Sequence, residues 1–303
     1  MRLLAVLTVF FIHSLSLWGF EYGLKPQKIN SSVYCFFGKP QAIDTHNNGN
    51  MVNTCYVDMG ESYLVIDSGP TYAYAHEAYT KMQSIKKQPV AYVINTHFHD
   101  DHWLGNSFYK ELGIDIIGST KFKTQVKAEV TRMQRLVSKE AYTKTKQVFP
   151  NLFVDKEKTL IINNKKVIIK DVNKKAHTSS DLFVYIPDIQ TLFAGDLDFN
   201  DRILSIRDGN VEGWIAAIDE LRTYKAQYII GGHGKKTDAR SLDETYRYLV
   251  ELRDQVKKAI DNGVDIEDAV NEITMPEFKN LYMYDLLQRQ NVETVYRTLE
   301  WEQ

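Results

Sequence analysis

The chain has 303 residues, 44% of them hydrophobic, with 37 basic and 39 acidic side chains. That composition supports a large buried core, in one domain plus an appendage, and excludes intrinsic disorder. Near-neutral charge argues against a surface built to neutralise the phosphates of nucleic acid, which leaves a small molecule as the expected partner.

At the N-terminus, Arg2 precedes an almost continuous apolar run from Leu3 to Ile12, followed by Ser14, Ser16 and Gly19. This is the pattern of a cleaved secretory signal peptide over residues 1–19, and it implies a periplasmic or secreted protein. The run falls short of the roughly 20 residues of a comfortable membrane span, so no stable membrane partner is expected and an uncleaved anchor is the alternative. No cysteine stands at the cleavage region, against a lipoprotein. Export permits a disulfide between the two cysteines, Cys35 and Cys55, which flank a turn-rich segment from Lys39 to Asn50; two buried, reduced cysteines are the other possibility.

Strand-like runs at Val33 to Phe37, Val52 to Val57 and Tyr63 to Ile66 open the domain, the last ending in the turn signature Asp67-Ser68-Gly69-Pro70. Helix formers fill Tyr74 to Lys86, and the apolar run Val90 to Ile94 reads as a buried strand, so strand and helix alternate as in an α/β fold. A helix at Gly105 to Leu112, a strand at Ile114 to Ile117 and a long charged helix at Phe122 to Lys146 are expected next. Two hairpins then point to a second sheet: Leu160 to Ile162 with Val167 to Ile169 around Asn163-Asn164, and Leu182 to Ile186 with Thr191 to Phe193 around Pro187-Asp188. Ala226 to Ile230 is a further buried strand ending at Gly231-Gly232-His233-Gly234. From about Arg240 the spacing of Leu249, Leu252, Val256 and Ile260 is helical. The expected organisation is a domain at 20–238 and a helical extension at 239–303.

The segment Thr96-His97-Phe98-His99-Asp100-Asp101-His102 holds three of the eight histidines. One-residue spacing puts the rings of His97 and His99 on the same side of an extended segment, able to chelate one ion, while Asp101 and His102 are left for a second. His177, Asp196 and His233 each sit in or beside a turn at a strand end, where loops carry function. Glycine precedes two of the three, consistent with close backbone approach. No strong Ser-His-Asp signature competes.

The ordered set His-x-His-x-Asp-His, then His, Asp and His resembles the metallo-β-lactamase superfamily, from about Val33 to Lys236. The resemblance implies a four-layer αββα sandwich of α/β class with a C-terminal helical appendage. It assigns His97, His99 and His177 to one metal, and Asp101, His102 and His233 to the other. Asp196 would bridge them, with Asp67 orienting ligands from behind. Two Zn2+ ions about 3.5–4 Å apart would ionise a water near neutral pH, oriented by Asp101, for attack on an ester, thioester or lactone. Mixed imidazole and carboxylate ligands also suit iron. A single Fe2+ on His97, His177 and Asp196, as in persulfide dioxygenases of this fold, is the alternative, although di-iron members typically carry glutamate where this chain has His99. True metallo-β-lactamases often place cysteine or serine at the position of Asp196 and a lysine soon after, which disfavours β-lactam hydrolysis. A non-enzymatic periplasmic metal-binding module is the remaining reading.

A closer resemblance is to exported zinc hydrolases associated with quinoprotein relay and sulfur-oxidation systems. It is carried by Gly195-Asp196-Leu197-x-Phe199-x-x-Arg202, by Asp208-Gly209 to Gly213-Trp214, and by Asn291-Val292 to Tyr296 with Glu300. Arg202, soon after the bridging position, is a candidate for an anionic substrate group because its planar fork matches one; Lys175 and Arg207 are lesser candidates. Trp103 and Trp214 read as packing residues, and His13, His46 and His76 stay outside the metal set.

Overall fold

The computed structural model describes residues 20–301, so the expected signal peptide lies outside the described residues. Seven strands form the first sheet in chain order: β1 (Gln27–Lys28), β2 (Val33–Phe36), β3 (Thr54–Asp58), β4 (Tyr63–Ile66), β5 (Val90–Ile94), β6 (Asp115–Ser119) and β7 (Leu152–Val154). Pairing is antiparallel from β1 to β4 and parallel from β4 to β7. Between β4 and β6 the chain forms α1 (Tyr72–Ile85), α2 (Asp100–Trp103) and α3 (Asn106–Glu111).

The second sheet holds β8 (Glu157–Ile162), β9 (Lys165–Asp171), β10 (Leu182–Ile186), β11 (Thr191–Phe199) and β12 (Tyr228–His233), in the order β12-β11-β10-β9-β8. Its first hairpin turns at Asn163 and Asn164, both at positive φ, the two-residue turn that asparagine favours.

Strand alternation builds the layers. Cys55 and Val57 point between the sheets, beside Ile94, Ile117, Val167, Ile169, Val184 and Phe193. Tyr56, on the opposite face, packs outward with Tyr63, Val65, Tyr74, Ala78 and Phe108. The other outer layer consists of α7 (Val211–Arg222) and the C-terminal helices, whose Trp214, Ile218, Leu249, Leu252, Val295 and Leu299 share one core with Leu192 and Leu197 of β11. The result is a four-layer αββα arrangement with a helical C-terminal segment. Among the described residues no helix is long and apolar enough to cross a membrane.

The long helix expected at Phe122 to Lys146 is instead three short ones: α4 (Phe122–Gln125), α5 (Arg132–Leu136) and α6 (Lys139–Tyr142). Thr131 Oγ1 accepts from Gln134 N–H and Ser138 Oγ from Ala141 N–H, so each hydroxyl caps a new helix inside what reads as one charged run. The C-terminal segment contains α8 (Leu242–Asp261), α9 (Ile266–Glu272) and α10 (Tyr284–Trp301).

Cys35 and Cys55 lie directly opposite each other on β2 and β3 and form a disulfide, which closes the turn-rich segment between them. A 20-residue separation corresponds to about 3 kcal/mol of stabilisation through the unfolded state. The double variant Cys35→Ala/Cys55→Ala is therefore expected to unfold at lower denaturant by that amount. An unchanged midpoint would show that the crosslink contributes nothing.

Candidate metal centre

The centre lies where the ends of the two sheets meet. Asp67 directly follows β4 and is held at φ 55°, a backbone conformation that aspartate tolerates better than most residues. Its carboxylate accepts hydrogen bonds from Thr96 N–H at 2.8 Å, Thr96 Oγ1–H at 2.9 Å and His102 Nδ1–H at 2.8 Å. Those bonds fix the segment leaving β5, so that His97 and His99 face the second sheet while Asp101 and His102 enter α2. His177 comes from the connection between β9 and β10.

One of the expected turn settings differs in the structure: Asp196 lies inside the nine-residue β11, whereas His233 stands at a strand end, as the last residue of β12. A break in the β11–β12 register, with Gly195 at φ 54°, presents the buried aspartate to the histidines without a turn. Gly232 leaves its space to the ligand, since a Cβ there would lie 1.9 Å from Asp196 Oδ1.

Seven side chains converge in two groups. His97, His99, His177 and Asp196 form one, and Asp101, His102 and His233 the other; within each, the ligand atoms lie within 4.8 Å of one another. Asp196 stands between them. Its Oδ2 is 3.2 Å from His177 Nε2, 3.6 Å from His97 Nε2 and 3.3 Å from His233 Nε2, and its Oδ1 is 3.1 Å from His102 Nε2. Asp101 Oδ2 closes the second group at 3.6 Å from His233 Nε2 and 3.7 Å from His102 Nε2.

Hydrogen bonds behind four of the five rings, all but His177, set their tautomers in the form that ligates metal. His233 Nδ1–H donates to the Met51 carbonyl at 2.6 Å, and His97 Nδ1 lies 3.1 Å from Thr96 Oγ1. His99 is reversed: its Nε2 bonds Asp208 Oδ2 at 3.1 Å, so its Nδ1 turns inward, 2.9 Å from His177 Nε2. These two nitrogens converge in the same group as His97 and Asp196, an arrangement that suits a shared cation. Buried His97 Nε2, His102 Nε2 and Asp196 Oδ1 have no hydrogen-bond partner among the described residues, a cost that metal ligation removes.

A family model for the metallo-beta-lactamase superfamily matches residues 47–233, more than half of the chain, and the match ends on the last of the seven clustered residues, His233. The chain belongs to the metallo-β-lactamase superfamily. Among solved structures it is similar to a metallo-beta-lactamase from Pontibacter korlensis, at 22% identity and TM-score 0.61 over 75% of this chain and 99% of that one. It is also similar to DIM-1 metallo-beta-lactamase exposed to ceftazidime, at 16% identity and TM-score 0.60 over 77% and 98%. At these identities the likeness speaks for the fold.

Electrostatics suit a metal-binding member of the superfamily. Burial, followed by the charge of His102, pushes His97 well below the usual imidazole range, and burial also lowers His99, leaving both neutral as ligands must be. Burial works against the charges of Asp101 and Asp196, but His102 and the neighbouring rings outweigh it, helped at Asp101 by Arg132, and hold both carboxyls well below their usual range. His102 is the converse case. Burial opposes its charge, yet Asp196, Asp67 and Asp101 together raise it well above the usual value.

Several functional contacts have no sequence signal. Arg132, from the segment expected to be one long helix, binds Asp101 Oδ1 and Asp100 Oδ1 at 2.8 Å each, and so leaves Asp101 Oδ2 for the centre. Asp208 was visible only as part of the resemblance, and the structure places it on His99. Arg202 is buried against the Phe199 ring at 5.8 Å, and its Nη1 has no hydrogen-bond partner among the described residues. His46 is exposed and outside the cluster, whereas Trp103 and Trp214 are fully buried.

Beside the ligands, Asp198 accepts from Ser241 Oγ and Thr245 Oγ1, tying β11 to α8, and burial raises its carboxyl to about 7. A raised carboxyl contributes most below its unfolded value near 4, and that contribution is lost as pH rises through about 7. Asp198→Asn should therefore stabilise the metal-free protein on the order of 2 kcal/mol at pH 8.5 and little at pH 5. Equal melting shifts at the two pH values would contradict this.

Proposed function

We propose that this chain is an exported, dinuclear zinc hydrolase that acts on an ester, thioester or lactone of a small molecule. The observation that carries the reading is the carboxylate of Asp196 set between two trios of ligands whose inward atoms are free for metal. Export rests on the signal-like segment at residues 1–19.

Two divalent cations held there would supply a water that ionises near neutral pH and would polarise a carbonyl oxygen. His97, His99 and His177 would hold one ion, Asp101, His102 and His233 the other, and Asp196 both. Arg132 restrains Asp101 through Oδ1, which keeps Oδ2 directed inward, where it orients the attacking water. Thr96, Asp67, Met51 and Asp208 keep His97, His102, His233 and His99 in ligating tautomers while the substrate binds and leaves. Arg202 adds a buried positive charge that favours negative charge developing on the substrate.

The test is metal counting joined to a turnover panel. Protein isolated without added metal is expected to hold about two zincs per chain and to hydrolyse at least one member of a panel of esters, thioesters and lactones. One iron per chain with oxygen consumption on a persulfide, or two zincs with no turnover, would overturn the proposal.

A further inference from the structure

Within its sheet β12 pairs only with β11, apart from an isolated bridge between Tyr228 and Asp238 at its start. No second strand of that sheet flanks the stretch from Gly231 to His233, and the support comes from the first sheet instead. Asn53, directly before β3, is buried against it. Its side-chain Nδ2–H groups donate to the Gly231 carbonyl at 3.0 Å and the Gly234 carbonyl at 2.7 Å, and its backbone N–H donates to the Gly232 carbonyl at 2.7 Å. One asparagine thus takes main-chain carbonyls on both sides of His233.

The asparagine is itself held in place. Its Oδ1 accepts from Gly38 N–H at 3.2 Å, and Lys39 N–H donates to the Asn50 carbonyl at 2.9 Å. Gly38 lies so close to the peptide after Met51 that a Cβ on it would stand 2.1 Å from the Met51 carbonyl carbon. Below these contacts the Cys35–Cys55 disulfide closes the segment. Met51 and Asn53 therefore present one firm edge to β12.

That edge matters for the ring of His233. Asp67 and Asp208 orient His102 and His99 through side chains, whereas His233 Nδ1–H meets a backbone carbonyl, that of Met51, at 2.6 Å. A carbonyl cannot adjust by changing rotamer, so the bond holds only while the two backbones stay in register. Asn53 is the residue that keeps them there. No hydrogen bond among the described residues joins the segment 38–53 to His97, His99 or His177, so the other ligand group does not depend on it.

We propose that Asn53 is a positioning residue for the group formed by Asp101, His102 and His233. By fixing β12 against the Met51 carbonyl, it holds the His233 ring in place and in its Nδ1–H tautomer; without it, the ion on that group is lost before the ion on His97, His99 and His177. The selective loss of one ion rests on the dinuclear reading; the hold on the ring does not.

The experiment uses the full chain in two states. In the metal-free protein at about pH 8, where an ordinary imidazole is neutral, proton–nitrogen NMR should show a single Nδ1–H tautomer for His233 and a mixture of tautomers in Asn53→Ala. In chelator competition, wild-type protein should hold two zincs, and Asn53→Ala should bind one of them about tenfold or more weakly while the other keeps its affinity. Asn53→Ser, whose hydroxyl can keep one of the bonds, should lie between and supplies the test if Asn53→Ala does not fold. Asn30→Ala is the control: it removes a different bond between the sheets, from Asn30 Nδ2–H to Thr191 Oγ1 at 3.1 Å, and should leave tautomer and both affinities unchanged. A single tautomer retained in the Asn53 variants overturns the assignment whatever the metal count. So does unchanged affinity for both zincs, or an equal loss of both. If the tautomers mix but wild-type protein holds fewer than two zincs, the positioning role stands and the dinuclear reading falls.

Discussion

Asp196→Ala is expected to hold at most one metal per chain and to lose about a thousandfold or more in turnover, because one carboxylate serves both ligand groups. The side chain is 5% exposed and lies near four imidazole nitrogens, so no other described carboxylate takes its place. Gly232 packs against Oδ1, and its lack of a Cβ leaves a space that alanine at 196 does not fill. Folding should nevertheless survive, since the two sheets are held by the apolar core between them. The measurement is metal analysis beside circular dichroism. Two tightly held zincs in a folded Asp196→Ala protein would refute the bridging role.

Asp67→Ala should be the most damaging single change to stability among the residues around the centre. It removes the acceptor of three hydrogen bonds, leaves the buried Thr96 N–H and His102 Nδ1–H without partners, and puts alanine at φ 55°. Orphaned buried donors cost about 1–3 kcal/mol each and the left-handed backbone adds about 1 kcal/mol, so a loss on the order of 3–5 kcal/mol is expected. Asp67→Asn keeps the turn and one acceptor oxygen, and should lose less than half as much. Chemical denaturation of metal-free protein separates the two. Equal destabilisation by alanine and asparagine would show that hydrogen bonding to Thr96 and His102 is not what Asp67 contributes.

Most of the candidate metal centre was legible because its residues have distinctive chemistry and local spacing. Three histidines and Asp101 fall between His97 and His102, and glycines precede two of the three distant residues. The helpers were not legible. Asp208 and Arg132 act across the fold on His99 and Asp101, and nothing in their own neighbourhoods distinguishes them from surface charges. The strands followed from apolar runs bounded by turns, and the layers from alternation such as Cys55, Tyr56 and Val57. Phe122 to Lys146 has helix-forming composition throughout, but the capping hydroxyls of Thr131 and Ser138 restart the helix twice. At β11 the turn expected around Asp196 proved to be strand, because a register break presents the side chain to the centre as effectively as a turn does; His233 does stand at a strand end, as the last residue of β12.

The disposition of the ligands across the two sheets also bears on how the protein matures. His97, His99, Asp101 and His102 follow β5 of one sheet, whereas Asp196 and His233 belong to β11 and β12 of the other, more than 90 residues further along the chain. Neither group can reach its final geometry until the two sheets have come together, since Asp196 meets nitrogen atoms from both. Such long-range assembly belongs to the late part of folding. Metal capture at the proposed centre would thus act as a completion signal: a chain stalled with one sheet formed would offer only a partial chelate, and tight metal binding would mark molecules that have closed.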